Sequence, residues 1–106
     1  MPWIYLIFAG LLEIVWAFFM KKSVGFTLFV PSVITIVTMA ASFALLSLAM
    51  RTLPLGTAYA VWTGIGAIGA FAVGIVFLDE AVNPLRLAAA MLIFVGILLM
   101  KVSSAA

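Results

Sequence analysis

The chain has 106 residues, 69% hydrophobic and 8% charged, with a formal net charge of +2. A soluble domain carries about 25% charged residues, so this composition cannot cover a water-facing surface and points to a multi-pass protein of the cell inner, or plasma, membrane. Five basic residues dispersed among loops make no nucleic-acid patch. The lack of Cys and His removes thiol chemistry and most metal ligation, and no phosphate-binding Gly-Lys-Ser/Thr loop is present, so neither a metal nor a cofactor is expected.

The first apolar stretch, residues 3–20, reads WIYLIFAGLLEIVWAFFM and holds a single charge, Glu13, near its middle. Eighteen residues at about 1.5 Å each span roughly 27 Å, close to a hydrocarbon core. A carboxylate at that depth costs on the order of a few kcal/mol or more and marks an ion, proton or substrate site by default. The stretch lacks a basic leader and a small-residue cleavage site, so it reads as a retained helix rather than a signal peptide. Ala9, Gly10, Trp16 and Ala17 lie three or four residues from Glu13 and share its face, small on one side and aromatic on the other. The Trp16 indole can only donate and so suits a carboxylate. Trp3 and Tyr5 belong to the aromatic belt at the membrane edge.

The second stretch, about 30–50, carries Thr35, Thr38 and Ser42 at helical spacing with Met39 beside them. The two threonines read as bonded to their own backbone, whereas Ser42 is at a depth to meet Glu13. The third stretch, about 55–78, begins PLGTAYAVWTGIGAIG from Pro54. Tyr59 and Trp62 share a face, with Thr63 and Gly66 next along it. Gly66, Ala70 and Gly74 make a small-residue packing seam, and the glycine density suits an element that bends. The fourth stretch, about 85–100, follows Asn83-Pro84, an N-cap with Pro in the first helical position. It is short for a span, so its ends are expected to reach the interface through Arg86 and Lys101. Its smooth face of Ala88, Leu92, Gly96 and Leu99 fits a dimer contact.

The expected architecture is all-α: one domain over 1–106 with four transmembrane helices and both termini on one side. Lys21, Lys22 and Arg86 oppose Arg51, Lys101 and the terminal amine, almost no orientation bias. The chain is therefore expected to insert both ways round and to pair as an antiparallel homodimer. That pairing supplies the inverted symmetry which many transporters build from two repeats. Two Glu13 side chains would meet there and titrate as a coupled unit. A cation and protons would compete for them, which is the requirement for antiport. Aromatic faces add cation–π attraction, and a planar guanidinium matches a carboxylate in a two-pronged hydrogen bond. Nothing in the sequence suggests bond-breaking chemistry, so an enzyme is not expected.

The motifs GLLEIVWA (10–17), PSVIT (31–35), PLGTAYAVWTGIGA (54–67) and NPLRLA (83–88), with Lys101, resemble the small multidrug resistance transporters end to end, and within them the guanidinium-exporter branch. The resemblance implies that Glu13 binds substrate and protons alternately in an antiparallel, dual-topology dimer. It also implies that Gly10, Trp16, Ser42, Tyr59 and Trp62 line the site. Trp16 and Ser42 would hold the acid by hydrogen bonds, and Tyr59 would help switch the dimer between facings. The multidrug branch usually has a small residue in place of Trp16 and a Tyr in place of Met39, so both positions favour guanidinium. The competing readings are an exporter of quaternary ammonium and aromatic cations, a non-transporting assembly subunit, and a passive channel.

Overall fold

Long apolar runs without β-alternation have one stable form in lipid, because a helix satisfies its backbone within a single segment. The computed structural model describes residues 2–103 and contains four such helices: α1 (Pro2–Lys22), α2 (Phe29–Ala49), α3 (Leu55–Phe77) and α4 (Pro84–Ser103). Each is long and apolar enough to cross a membrane. The apolar pattern of the fourth stretch stops at residue 100, but α4 runs on to Ser103 and has 20 residues. At about 1.5 Å per residue this is roughly 30 Å, so α4 is not the short span that its sequence suggests.

The breaks between helices follow local chemistry. After α1, Gly25 takes a left-handed conformation (φ +68°), flanked by Val24 and Phe26 at positive φ. Ser23, fully buried, secures this turn: its hydroxyl donates to Met20 O at 2.7 Å and accepts from the Phe26 amide at 3.0 Å. Pro54 is the N-cap of α3 and Asn83 caps α4, its Oδ1 accepting from the Arg86 amide at 2.9 Å.

Helix α1 packs against both α2 and α3, while α4 packs against α3 alone. The extents are 43 × 34 × 16 Å. The molecule is therefore flattened, its shortest extent less than half of either of the others. Among the described residues no α4 side chain is buried, and Leu85, Leu92 and Leu99 are widely exposed. Such exposure suits lipid or another protein, not water.

The packed core is confined to one end. Leu6 and Ala9 of α1 meet Leu46 and Ala49 of α2, then Leu53, and Ala58, Val61 and Trp62 of α3. At that end the Lys101 side chain reaches across to the start of α1, its Nζ 4.8 Å from the Trp3 ring centroid. The opposite half, beyond Glu13 on α1 and beyond Gly66 on α3, lacks a comparable apolar cluster and is hollowed by cavities.

Candidate functional site

The packed and hollow halves meet at Glu13. Its carboxyl lies directly against the Cα of Gly66 on α3: a Cβ there would collide with Glu13 Oε1 and Cδ and stand 2.8 Å from Cγ. With a larger residue there the carboxyl would have to shift, which connects the backbone of α3 to the position of the α1 carboxylate. Gly69, three residues on, admits Ile14 in the same manner.

Ser42 is fully buried and binds three helices together. Its hydroxyl donates to Ala9 O on α1 at 2.7 Å and accepts from Trp62 Nε1 on α3 at 3.0 Å. In an α-helix the Ala9 carbonyl is also the i−4 acceptor for the Glu13 amide. The serine therefore fixes the turn of α1 that carries the acid. Within the single chain its one donor is committed to Ala9 O, so it makes no bond to the Glu13 carboxylate. The threonines bond to the preceding turn of their own helix, Thr35 to Pro31 O at 2.8 Å and Thr38 to Ile34 O at 2.7 Å.

An aromatic wall adjoins the polar knot. Tyr59 and Trp62 have ring centroids 5.5 Å apart, and Phe43 of α2 meets Trp62 edge-on at 5.6 Å and Trp16 at 6.4 Å. Trp62 is 6% exposed, whereas Tyr59 is 52% exposed and stands at the open side of the wall. Phe43 is missing from the sequence reading: it has no polar atom, and only the fold shows it touching both tryptophans. Gly10, expected to line the site, is packed against Ile65 of α3, whose Cγ2 would be 2.5 Å from a Cβ at that position.

Among the described residues two buried polar atoms have no partner: Glu13 Oε1 and Trp16 Nε1. One is an acceptor and the other a donor, one helical turn apart. Buried groups of this kind are costly unless paired, and both belong to the acid-bearing face of α1. A cation or a proton would answer the carboxylate oxygen, whereas the indole N–H needs an acceptor.

The chain is similar to known proteins along nearly its whole length. A family model described as Small Multidrug Resistance protein matches residues 1–93. The chain is 57% identical over 104 residues, 98% of its length and 99% of the relative's, to a protein of Escherichia coli (strain K12) named Guanidinium exporter. Proteins with the same name in Citrobacter freundii and Salmonella typhimurium match to the same extent.

Proposed function

This chain belongs to the small multidrug resistance family and is a multi-pass protein of the bacterial inner membrane, and from that premise we propose that it exports guanidinium and close analogues in exchange for protons. The observation that carries the reading is the pair of stranded atoms, Glu13 Oε1 and Trp16 Nε1, beside a wall of Tyr59, Trp62 and Phe43. A planar cation with several N–H donors answers the carboxylate, and aromatic rings attract its charge by about 0.5–2 kcal/mol each. The name shared by relatives covering nearly the whole chain supports the same substrate.

The mechanism follows from one acid with two possible neutralising partners. An ionised carboxylate left unpaired at this depth is costly. Glu13 therefore changes facing only when it holds a proton or the cation, and each excludes the other. Alternating access then couples export of the cation to entry of protons. The chain acts as a single four-helix unit and pairs with a second copy in the opposite orientation, so that two Glu13 residues share one site. The exposed α4 face and the near-absence of charge bias support that pairing. Gly10, Trp16, Ser42, Tyr59 and Trp62 position and line the acid.

The test is transport by purified protein in liposomes with an imposed outward proton gradient. Guanidinium uptake is expected, abolished by Glu13→Gln. Flux that ignores the proton gradient except through voltage would point to a channel instead. The second reading, a multidrug exporter, has the α1–α3 face open to bulkier ligands in its favour, but Trp16 crowds the acid. Uptake of a bulky quaternary ammonium ion without guanidinium uptake would reverse the order.

A further inference from the structure

The hollow half of the molecule contains charged groups that the Glu13 site does not use. A cavity of about 350 Å³ opens between the ends of α1 and α3 and the start of α4. Its floor is apolar, formed by Ile14, Ala17, Phe18 and Phe71, and three charges, Lys21, Glu80 and Arg86, stand around it. All three are exposed and lie at helix ends, where the hydrocarbon gives way to head groups. Arg86 is steered into the cavity from two sides: one N–H donates to Ala81 O at 3.1 Å, and its guanidinium lies 5.4 Å from the centroid of Phe71. Its other donors are unassigned by these contacts. The Glu80 carboxyl rests against the Cα of Gly74, and its backbone amide is bonded to Gly74 O at 3.0 Å. The acid is thus held beside the two cations without an ion pair to either among the described residues.

From this cavity a groove continues along the α3–α4 seam. A space of about 250 Å³ shares Phe71 and Arg86 with it and descends past Ala67 and Ala90 to Ile93. Another of about 200 Å³ continues from Ile93 past Gly64 to Met100. From Arg86 to Met100 is about 21 Å along α4, more than the roughly 15 Å depth of one leaflet. We propose that this continuous feature seats one phospholipid with a primary ammonium head group, of the phosphatidylethanolamine class: Lys21 and Arg86 hold the phosphate, Glu80 holds the ammonium, and an acyl chain fills the α3–α4 groove. The argument is charge complementarity at the right depth. Two cations and one anion match the anionic phosphate and the cationic amine of such a head group, and beyond Arg86 the space that leads away from them is lined by apolar residues. An anionic lipid without the amine leaves Glu80 opposed to nothing.

The test is native mass spectrometry of the full chain released from mixed micelles that contain phosphatidylethanolamine, phosphatidylglycerol or diacylglycerol with identical acyl chains. Phosphatidylethanolamine is expected to be retained, one molecule per chain, about tenfold above diacylglycerol. Glu80→Gln should erase its advantage over phosphatidylglycerol. Lys21→Ala with Arg86→Ala should bring both phospholipids down to the diacylglycerol level. The head-group series on the unsubstituted protein stands even if a variant fails to fold. Equal retention of diacylglycerol overturns the proposal, as does displacement of the lipid by soluble phosphoethanolamine, which would make this a site for a free phosphate compound. Loss of the lipid from chains cross-linked as dimers overturns it too, because the groove would then be covered by a second copy.

Discussion

Replacing Gly66 by Ala tests whether the backbone of α3 sets the position of the carboxylate. A new Cβ would overlap the Glu13 carboxyl and stand 2.8 Å from Glu13 Cγ. Ordinary carbon contacts are about 3.5–4 Å, so the acid must retreat by about 1 Å or turn to another rotamer. Misplacement of a reacting group by that distance costs about 10²-fold in well-organised sites. Guanidinium transport should fall by about 10- to 100-fold. Gly56→Ala is the internal control. It lies on the same helix, and its Cβ would meet nothing within 4 Å. Gly66→Ala raises helix propensity by about 0.5–1 kcal/mol and Gly56→Ala, at the second position of α3, by less, so propensity favours the Gly66 variant and a loss of transport there reflects the collision. The assay is initial guanidinium uptake into proteoliposomes at matched protein content, with circular dichroism and thermal unfolding in detergent to confirm that both variants fold. If Gly66→Ala transports as well as Gly56→Ala, the carboxylate does not need its seat against α3 and the argument fails.

Other outcomes follow from the same contacts. Ser42→Ala strands the buried Trp62 Nε1 and frees the turn of α1 that precedes Glu13; it should cost about 1–3 kcal/mol in thermal unfolding and reduce guanidinium affinity. Ser42→Thr, which keeps the hydroxyl, should recover part of both. Thr35→Val removes only a bond to the preceding turn of the same helix and should change unfolding by less than about 1 kcal/mol, with transport intact. Gly69→Ala collides with Ile14 rather than with the acid, so it should lower stability more than it alters substrate preference.

The four spans are legible in the sequence because apolar length alone decides them in lipid, and their breaks carry Gly25, Pro54 and Asn83-Pro84. The end of α4 is not, because Lys101, Val102 and Ser103 can continue a helix beyond the apolar run that announces it. Glu13 stands out as the one charge inside its span. The neighbourhood of Tyr59 and Trp62 follows from their spacing of three. What Ser42 does was hidden, since its partner on α1 is a backbone carbonyl, and every residue has one. Gly66 shows the same limit. Spacing puts it on the face of Tyr59 and Trp62, but only the crossing of α1 over α3 shows that it touches the acid. Gly10 has the composition of a site residue and the environment of a packing contact.

The unpaired indole of Trp16 separates the single chain from the assembly. Its Nε1 is buried and without a partner, so within one chain the N–H stabilises nothing. Trp16→Phe should therefore leave the unfolding of the isolated chain unchanged or raise it, because a stranded donor costs about 1–3 kcal/mol and Phe keeps the edge contact with Phe43. If the indole finds a carboxylate acceptor only when a second chain completes the site, the same change must weaken that step and the cation binding that depends on it. Loss of one hydrogen bond to a charged group is worth about 1.5–3 kcal/mol, or roughly a 10- to 150-fold rise in the guanidinium dissociation constant. Calorimetry of guanidinium binding and dilution of fluorescently paired chains in bilayers measure the two steps separately. A variant that binds and associates within about twofold of the parent would mean that Trp16 is a packing residue whose stranded N–H is simply tolerated. The completed site would then have to be built around Glu13 from Tyr59 and Trp62 alone.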